Sequence, residues 1–68
     1  MDDKIKIQVK LINKNYPVTI KRSEEAKVRK ATIKVNSKFD DCKKQYPDME
    51  QDDLLAMVAF DLALECVK

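Results

Sequence analysis

The last third of the chain, Asp52 to Lys68, reads DDLLAMVAFDLALECVK, and only Asp61 and Glu65 interrupt an apolar run from Leu54 to Val67. As a helix, this segment places Met57, Asp61, Glu65 and Lys68 on one narrow stripe, because spacings of three and four share a face. Leu54, Leu55, Val58, Phe60, Leu62, Leu64, Cys66 and Val67 then cover most of the remaining circumference. A helix apolar on so many sides has to be buried on more than one face. The rest of the chain can cover one of them, and a second copy of the same helix is the simplest cover for the other.

Length sharpens this requirement. With 68 residues, the chain is expected to form one small domain, and domains of this size are marginal without staples or oligomerisation. The staples are few. Cys42 and Cys66 both fall at apolar helical positions, where a free cysteine acts as a small hydrophobe, and two inert thiols suit a reducing cytoplasm. A structural zinc site needs about four ligands, and the sequence has no histidine to help supply them. No metal or cofactor is expected.

Catalysis finds little support. There is no histidine for acid–base work and no glycine for a phosphate-cradling loop. Asp40-Asp41 and Asp52-Asp53 are sequence neighbours, but on a helix adjacent residues diverge, so neither pair forms an acid–base couple. The reading is a non-enzyme without catalytic residues. No membrane span is expected, because the apolar run is short and carries two acids, and the acidic Met1-Asp2-Asp3 opening is unlike a signal peptide. The formal charge is +2, which predicts no strong electrostatic commitment to nucleic acid.

In chain order, Lys4 to Leu11 alternates polar and apolar residues without an error, giving a strand over about 4–12 with Ile5, Ile7, Val9 and Leu11 facing in. Asn13-Lys14-Asn15 is the expected turn, asparagine being the residue best suited to positive φ in a chain without glycine. A second strand follows over about 16–21, with a free flank at Pro17, which cannot donate to a ladder. Ser23 is the expected N-cap of a first helix over about 24–45, with Glu24 and Glu25 favouring its positive end. On this helix Val28, Thr32, Val35, Phe39, Cys42 and Tyr46 step by four and three to form the inward seam, with Ala31 beside them. Pro47 forces a stop. Asp48 and Gln51 are spaced as a capping box for a second helix over about 49–68. That helix has no stop signal before the last residue, so the sequence reads as part of a longer chain. The fold class is α+β: a β-hairpin followed by two α-helices, the second long, apolar and dimerising.

This order of elements resembles the head domain of the ZapA bacterial cell-division family. The resemblance rests on the first strand followed by a turn, a basic residue and Tyr16; on Glu24-Glu25 ahead of Val28-Arg29-Lys30-Ala31; on Val35-Asn36; on Asp53 to Ala59; and on Leu62-Ala63-Leu64-Glu65. It covers nearly the whole chain, through the combined order and spacing of ordinary amphipathic segments. It implies a homodimer of heads that binds filaments of the tubulin-like division protein FtsZ at the division site in the cytoplasm. It also implies a second helix that runs on as a coiled coil and pairs dimers into tetramers, cross-linking filaments by valency. Family members often have glycine where this chain has Asn13, and usually a small pair at Ala31-Thr32. A buried threonine is tolerable there because it can bond the carbonyl one turn back.

Carried over by position, Lys14 stands where the family has its basic turn residue implicated in filament contact, and Asp52 and Asp53 lie in its acidic opening of the second helix. Arg22 and Arg29 join the expected partner-binding set as guanidinium groups able to pair with carboxylates. The expected dimer interface is Leu54, Leu55, Val58, Phe60, Leu62 and Leu64. For each charge the bland alternative is solvation, and for the apolar set it is burial within one subunit. Two rival functions stand beside this one. A strand presenting Lys4, Lys6, Gln8 and Lys10 could enter a DNA major groove, although the near-neutral balance argues against nucleic acid. A generic helical dimerisation module is the other.

Overall fold

The structure is a computed structural model that describes residues 3–67. Strand β1 (Lys4–Leu11) and strand β2 (Lys14–Lys21) form a two-stranded antiparallel sheet, and helices α1 (Glu25–Gln45) and α2 (Gln51–Cys66) follow. The ββαα order and the α+β class read from the sequence are those of the structure. The chain divides into two compact units, Met1–Asn36 and Ser37–Lys68, with α1 contributing to both.

In the first unit the register runs from Lys4↔Lys21 to Leu11↔Lys14. The loop is therefore the two residues Ile12 and Asn13, one position earlier than the asparagine-centred turn expected, and β2 starts at Lys14 rather than at residue 16. Positive φ falls on Ile12, at 64°, although a left-handed β-branched residue is a costly outlier. The Asn36 side chain accepts a hydrogen bond from the Ile12 N–H at 2.6 Å and donates to the Lys10 carbonyl at 2.8 Å. These two bonds hold the unusual turn from α1.

Alternation on β1 is as expected, with Val9 buried, Ile5, Ile7 and Leu11 half-buried, and Lys4, Lys6, Gln8 and Lys10 exposed. The Arg22 N–H donates to the Asp3 carbonyl at 2.8 Å. Residues 5, 7, 9 and 11 keep that pairing phase and bond to β2, so the main chain of residues 4, 6, 8 and 10 points to the open edge. Two of those carbonyls are occupied by α1: Asn36 takes Lys10, and the Arg29 Nη1 donates to Gln8 at 3.0 Å. On the opposite edge Pro17 has no N–H to offer, and the Glu24 carboxylate accepts the Lys21 N–H at 3.2 Å. Between the inner hairpin face and α1 lies an open apolar groove of about 350 Å³, lined by Val9, Leu11, Val18 and Ile20 from the strands and Val28 and Val35 among others from the helix.

Helical geometry starts with a 3-10 turn at Arg22–Glu24. Ser23 thus lies inside that turn and not at the N-cap, which is Lys21. The back-reaching Glu24 carboxylate ties down the entry to the turn. Thr32 returns its hydroxyl to the Val28 carbonyl at 2.9 Å, the bond that makes a threonine compatible with a helix interior.

In the second unit Phe39 and Cys42 from α1 and Leu54 and Val58 from α2 are the buried residues. The expected box at Asp48 does not form: Glu50 is the N-cap, makes no side-chain cap bond, and α2 starts at Gln51. A tight turn after Pro47, closed by Met49 N–H to the Tyr46 carbonyl at 3.1 Å, uses up the residues the earlier start required. At the other end Val67 is extended, with φ −79° and ψ 128°, so α2 stops at Cys66 rather than reaching residue 68. Lys68 lies outside the described residues. Among the described residues no helix is long and apolar enough to cross a membrane.

Candidate partner-binding site

The sequence assigns five charged residues to partner contact, and the structure distributes them over both units. Lys14, Arg22 and Arg29 belong to the first, Asp52 and Asp53 to the second. Lys14 opens β2 directly opposite Leu11 and is exposed at the tip of the hairpin. Its position is fixed by the two-residue turn before it, and hence by Asn36 from α1. Arg22 is exposed at the start of the 3-10 turn, with its main chain anchored on Asp3.

Arg29 is engaged within its own unit. Besides its bond to the Gln8 carbonyl, its Nη2 lies 3.9 Å from the Glu25 carboxylate. A guanidinium holding a strand carbonyl has less to offer a partner than a solvated one. Asp52 and Asp53 are exposed in the first turn of α2, where carboxylates favour the positive end of the helix dipole.

The apolar set divides in a similar way. Leu54 and Val58 are buried within the chain at 3% and 4% exposure, and Leu62 is half-buried. Leu55, Phe60 and Leu64 are exposed, the last two by more than half, at 58% and 55%. One side of α2 therefore builds the second unit's core, while Phe60 and Leu64 lie uncovered together on another side and Leu55 on a third.

Between the helices of the second unit, Lys38 donates to the Glu65 carboxylate at 2.7 Å. That hydrogen bond raises the Lys38 ammonium above its ordinary range, against some opposing desolvation and with help from Asp61 and Asp41. The Cys42 thiol donates to the Asp61 carboxylate at 3.8 Å. Burial pushes the Cys42 pKa up and the neighbouring Asp61 charge adds to the shift, which leaves a protonated, unreactive thiol. Asp61 and Glu65, the two acids that break the apolar run, are thus turned towards α1.

Asn36 is the residue of the site that sequence reasoning noted only as part of a pattern. Its role depends on contacts 24 and 26 residues away. A second feature was legible in the charges themselves. The net +2 averages over an uneven distribution: the first unit has ten basic and four acidic residues, the second four basic and eight acidic, giving +6 and −4. The whole-chain total therefore understates the positive charge of the first unit.

A comparison with protein-family models matches residues 7–68 to the family described as cell division protein ZapA. Searches of curated proteins and of solved structures each returned no match. The matched segment takes in most of β1 and all of β2, α1 and α2, and the chain belongs to the ZapA family of cell division proteins.

Proposed function

We propose that this protein binds FtsZ filaments as a homodimer and, when dimers are joined through a longer α2, cross-links those filaments at the division site in the cytoplasm. The observation that carries the reading is the family match over residues 7–68; ZapA proteins are structural partners of FtsZ in division and are not known as enzymes. Two uncovered apolar surfaces support self-association. One is the side of α2 bearing Phe60 and Leu64, four residues apart, and the other is the groove between the hairpin and α1. In this reading Leu54 and Val58 form the packed layer beneath the interface, with Leu62 at its margin. Lys14 at the hairpin tip, with Arg22 beside the strand ends, faces the filament, and Asp52 and Asp53 add acidic contacts. Arg29 acts chiefly by bracing the hairpin.

Co-sedimentation with polymerised FtsZ tests this. Wild-type protein is expected to pellet only with polymer at low salt, less so at moderate salt, and less again as Lys14→Glu. Failure to pellet, both as this chain and with α2 extended by a coiled coil, would remove the functional reading and leave the family's fold.

A further inference from the structure

We infer that the outer face of the hairpin, away from α1, is a docking surface for an acidic protein partner. The alternation of the strands places Lys4, Lys6, Gln8 and Lys10 on this face, opposite Lys21, Thr19, Pro17 and Asn15. All eight are exposed. Four are lysines and none is acidic, and the Glu24 carboxylate is bonded to the Lys21 main chain. The surface belongs to the unit whose net charge is +6. It is also separate from the groove and from the apolar side of α2, the two surfaces suited to self-association.

Lys4 and Lys21 stand directly across from each other, and like charges at facing strand positions are destabilising. Guarding a strand edge against unwanted pairing calls for occasional lysines, but the two edges here are already obstructed. Pro17 interrupts one, and Arg29 and Asn36 occupy carbonyls on the other. A facing lysine pair adds self-repulsion without adding to that protection. An acidic surface laid over the face would neutralise both charges at once.

The chemistry favours protein over nucleic acid. The face holds no arginine for bidentate phosphate or guanine contacts and no aromatic ring on which a base could stack. The proposal rests on the reading of this protein as a filament binder and adds the face by which it binds.

The experiment compares the wild-type chain, Lys4→Glu and the double variant Lys6→Glu/Lys10→Glu in pelleting with polymerised FtsZ, alongside thermal melting. All three positions are exposed, so the fold is expected to survive. The double variant should bind on the order of tenfold more weakly, as expected for the reversal of two exposed charge contacts. Lys4→Glu replaces a repulsive pair with an attractive one, so it should melt no lower than wild type while binding less. If wild type pellets and the variants pellet equally well, the outer face is not the docking surface, although the functional reading stands. If wild type stays in the supernatant at low salt, both as this chain and with α2 extended by a coiled coil, that reading falls and the proposal with it. Binding of a fluorescent DNA duplex that these reversals abolish, at salt where polymer pelleting is unaffected by them, would overturn the protein assignment in favour of nucleic acid.

Discussion

The side chain of Asn36 accepts the main-chain N–H of Ile12 at 2.6 Å and stabilises a β-branched residue at φ 64°. The same amide donates to Lys10 on the other side of the turn, so a single residue of α1 defines the hairpin tip on which Lys14 sits. Asn36→Ala leaves the part-buried Ile12 N–H and the exposed Lys10 carbonyl without these partners and should cost about 1 kcal/mol or more in chemical denaturation. Asn36→Asp keeps the acceptor, loses the donor and should fall between. Ile12→Gly removes a left-handed penalty of about 1–2 kcal/mol against a glycine entropy cost of about 0.5–1 kcal/mol. It should stay close to wild type despite the deleted side chain. A fully stable Asn36→Ala would show that the turn does not depend on the clamp.

The exposed side of α2 makes a prediction about mass. Phe60 and Leu64 are largely exposed in a single chain, so Phe60→Glu and Leu64→Glu cost little within it and much at an apolar interface between copies. Light scattering should show each variant at monomer mass with a retained helical circular dichroism spectrum. Leu62→Glu, at a half-buried position, should lose stability as well as mass. Wild-type mass in both exposed-site variants would place the dimer contact elsewhere.

The two cysteines should react in a fixed order. Cys66 is exposed and Cys42 is buried with its pKa raised, and thiolate is the form that reacts. Under native conditions a thiol reagent should modify Cys66 rapidly and Cys42 only at the rate of opening. Equal rates in mass spectrometry would contradict the packing of Cys42 against α2.

Lys38 gives the chain an alkaline limit. Its pKa is raised in the folded state above the ordinary 10.5 by its hydrogen bond to Glu65. The contribution is therefore complete below the unfolded value and disappears as pH climbs through the higher folded one. The melting temperature should fall as pH climbs past the ordinary lysine value of 10.5, and Lys38→Met should show a shallower fall over the same alkaline range. Identical slopes in the two proteins would mean that the pair contributes nothing to stability, as many solvated pairs do.

Much of the fold was legible because its signals are local. Strict alternation over Lys4–Leu11 specified a strand and its inward face, and the three–four seam through Val28, Thr32, Val35, Phe39 and Cys42 specified a helix and its buried side. The turn was misplaced by one position because asparagine is the local favourite for positive φ, whereas Ile12 adopts it through a contact supplied by a residue far along the chain. The start of α2 was misplaced for a related reason: Asp48 and Gln51 have the spacing of a box, but the turn that Pro47 begins extends through Met49 before the helix can form. Arg29 looked like a free guanidinium because no pattern in the sequence announces its bond to a strand carbonyl. The strand phase already gave Lys4, Lys6 and Lys10 a common face, but the whole-chain total of +2 hid how unevenly the charge divides between the two units.

The two obstructed flanks of the hairpin acquire a further meaning beside a role in gathering filaments. A lone pair of strands is a ready nucleus for self-templated growth, since each open flank can recruit another chain and pass the invitation on. Here proline breaks the sequence of donors on one flank, and arginine and asparagine reach from the helix to engage acceptors on the other. A protein proposed to bring polymers together is thereby kept from becoming one.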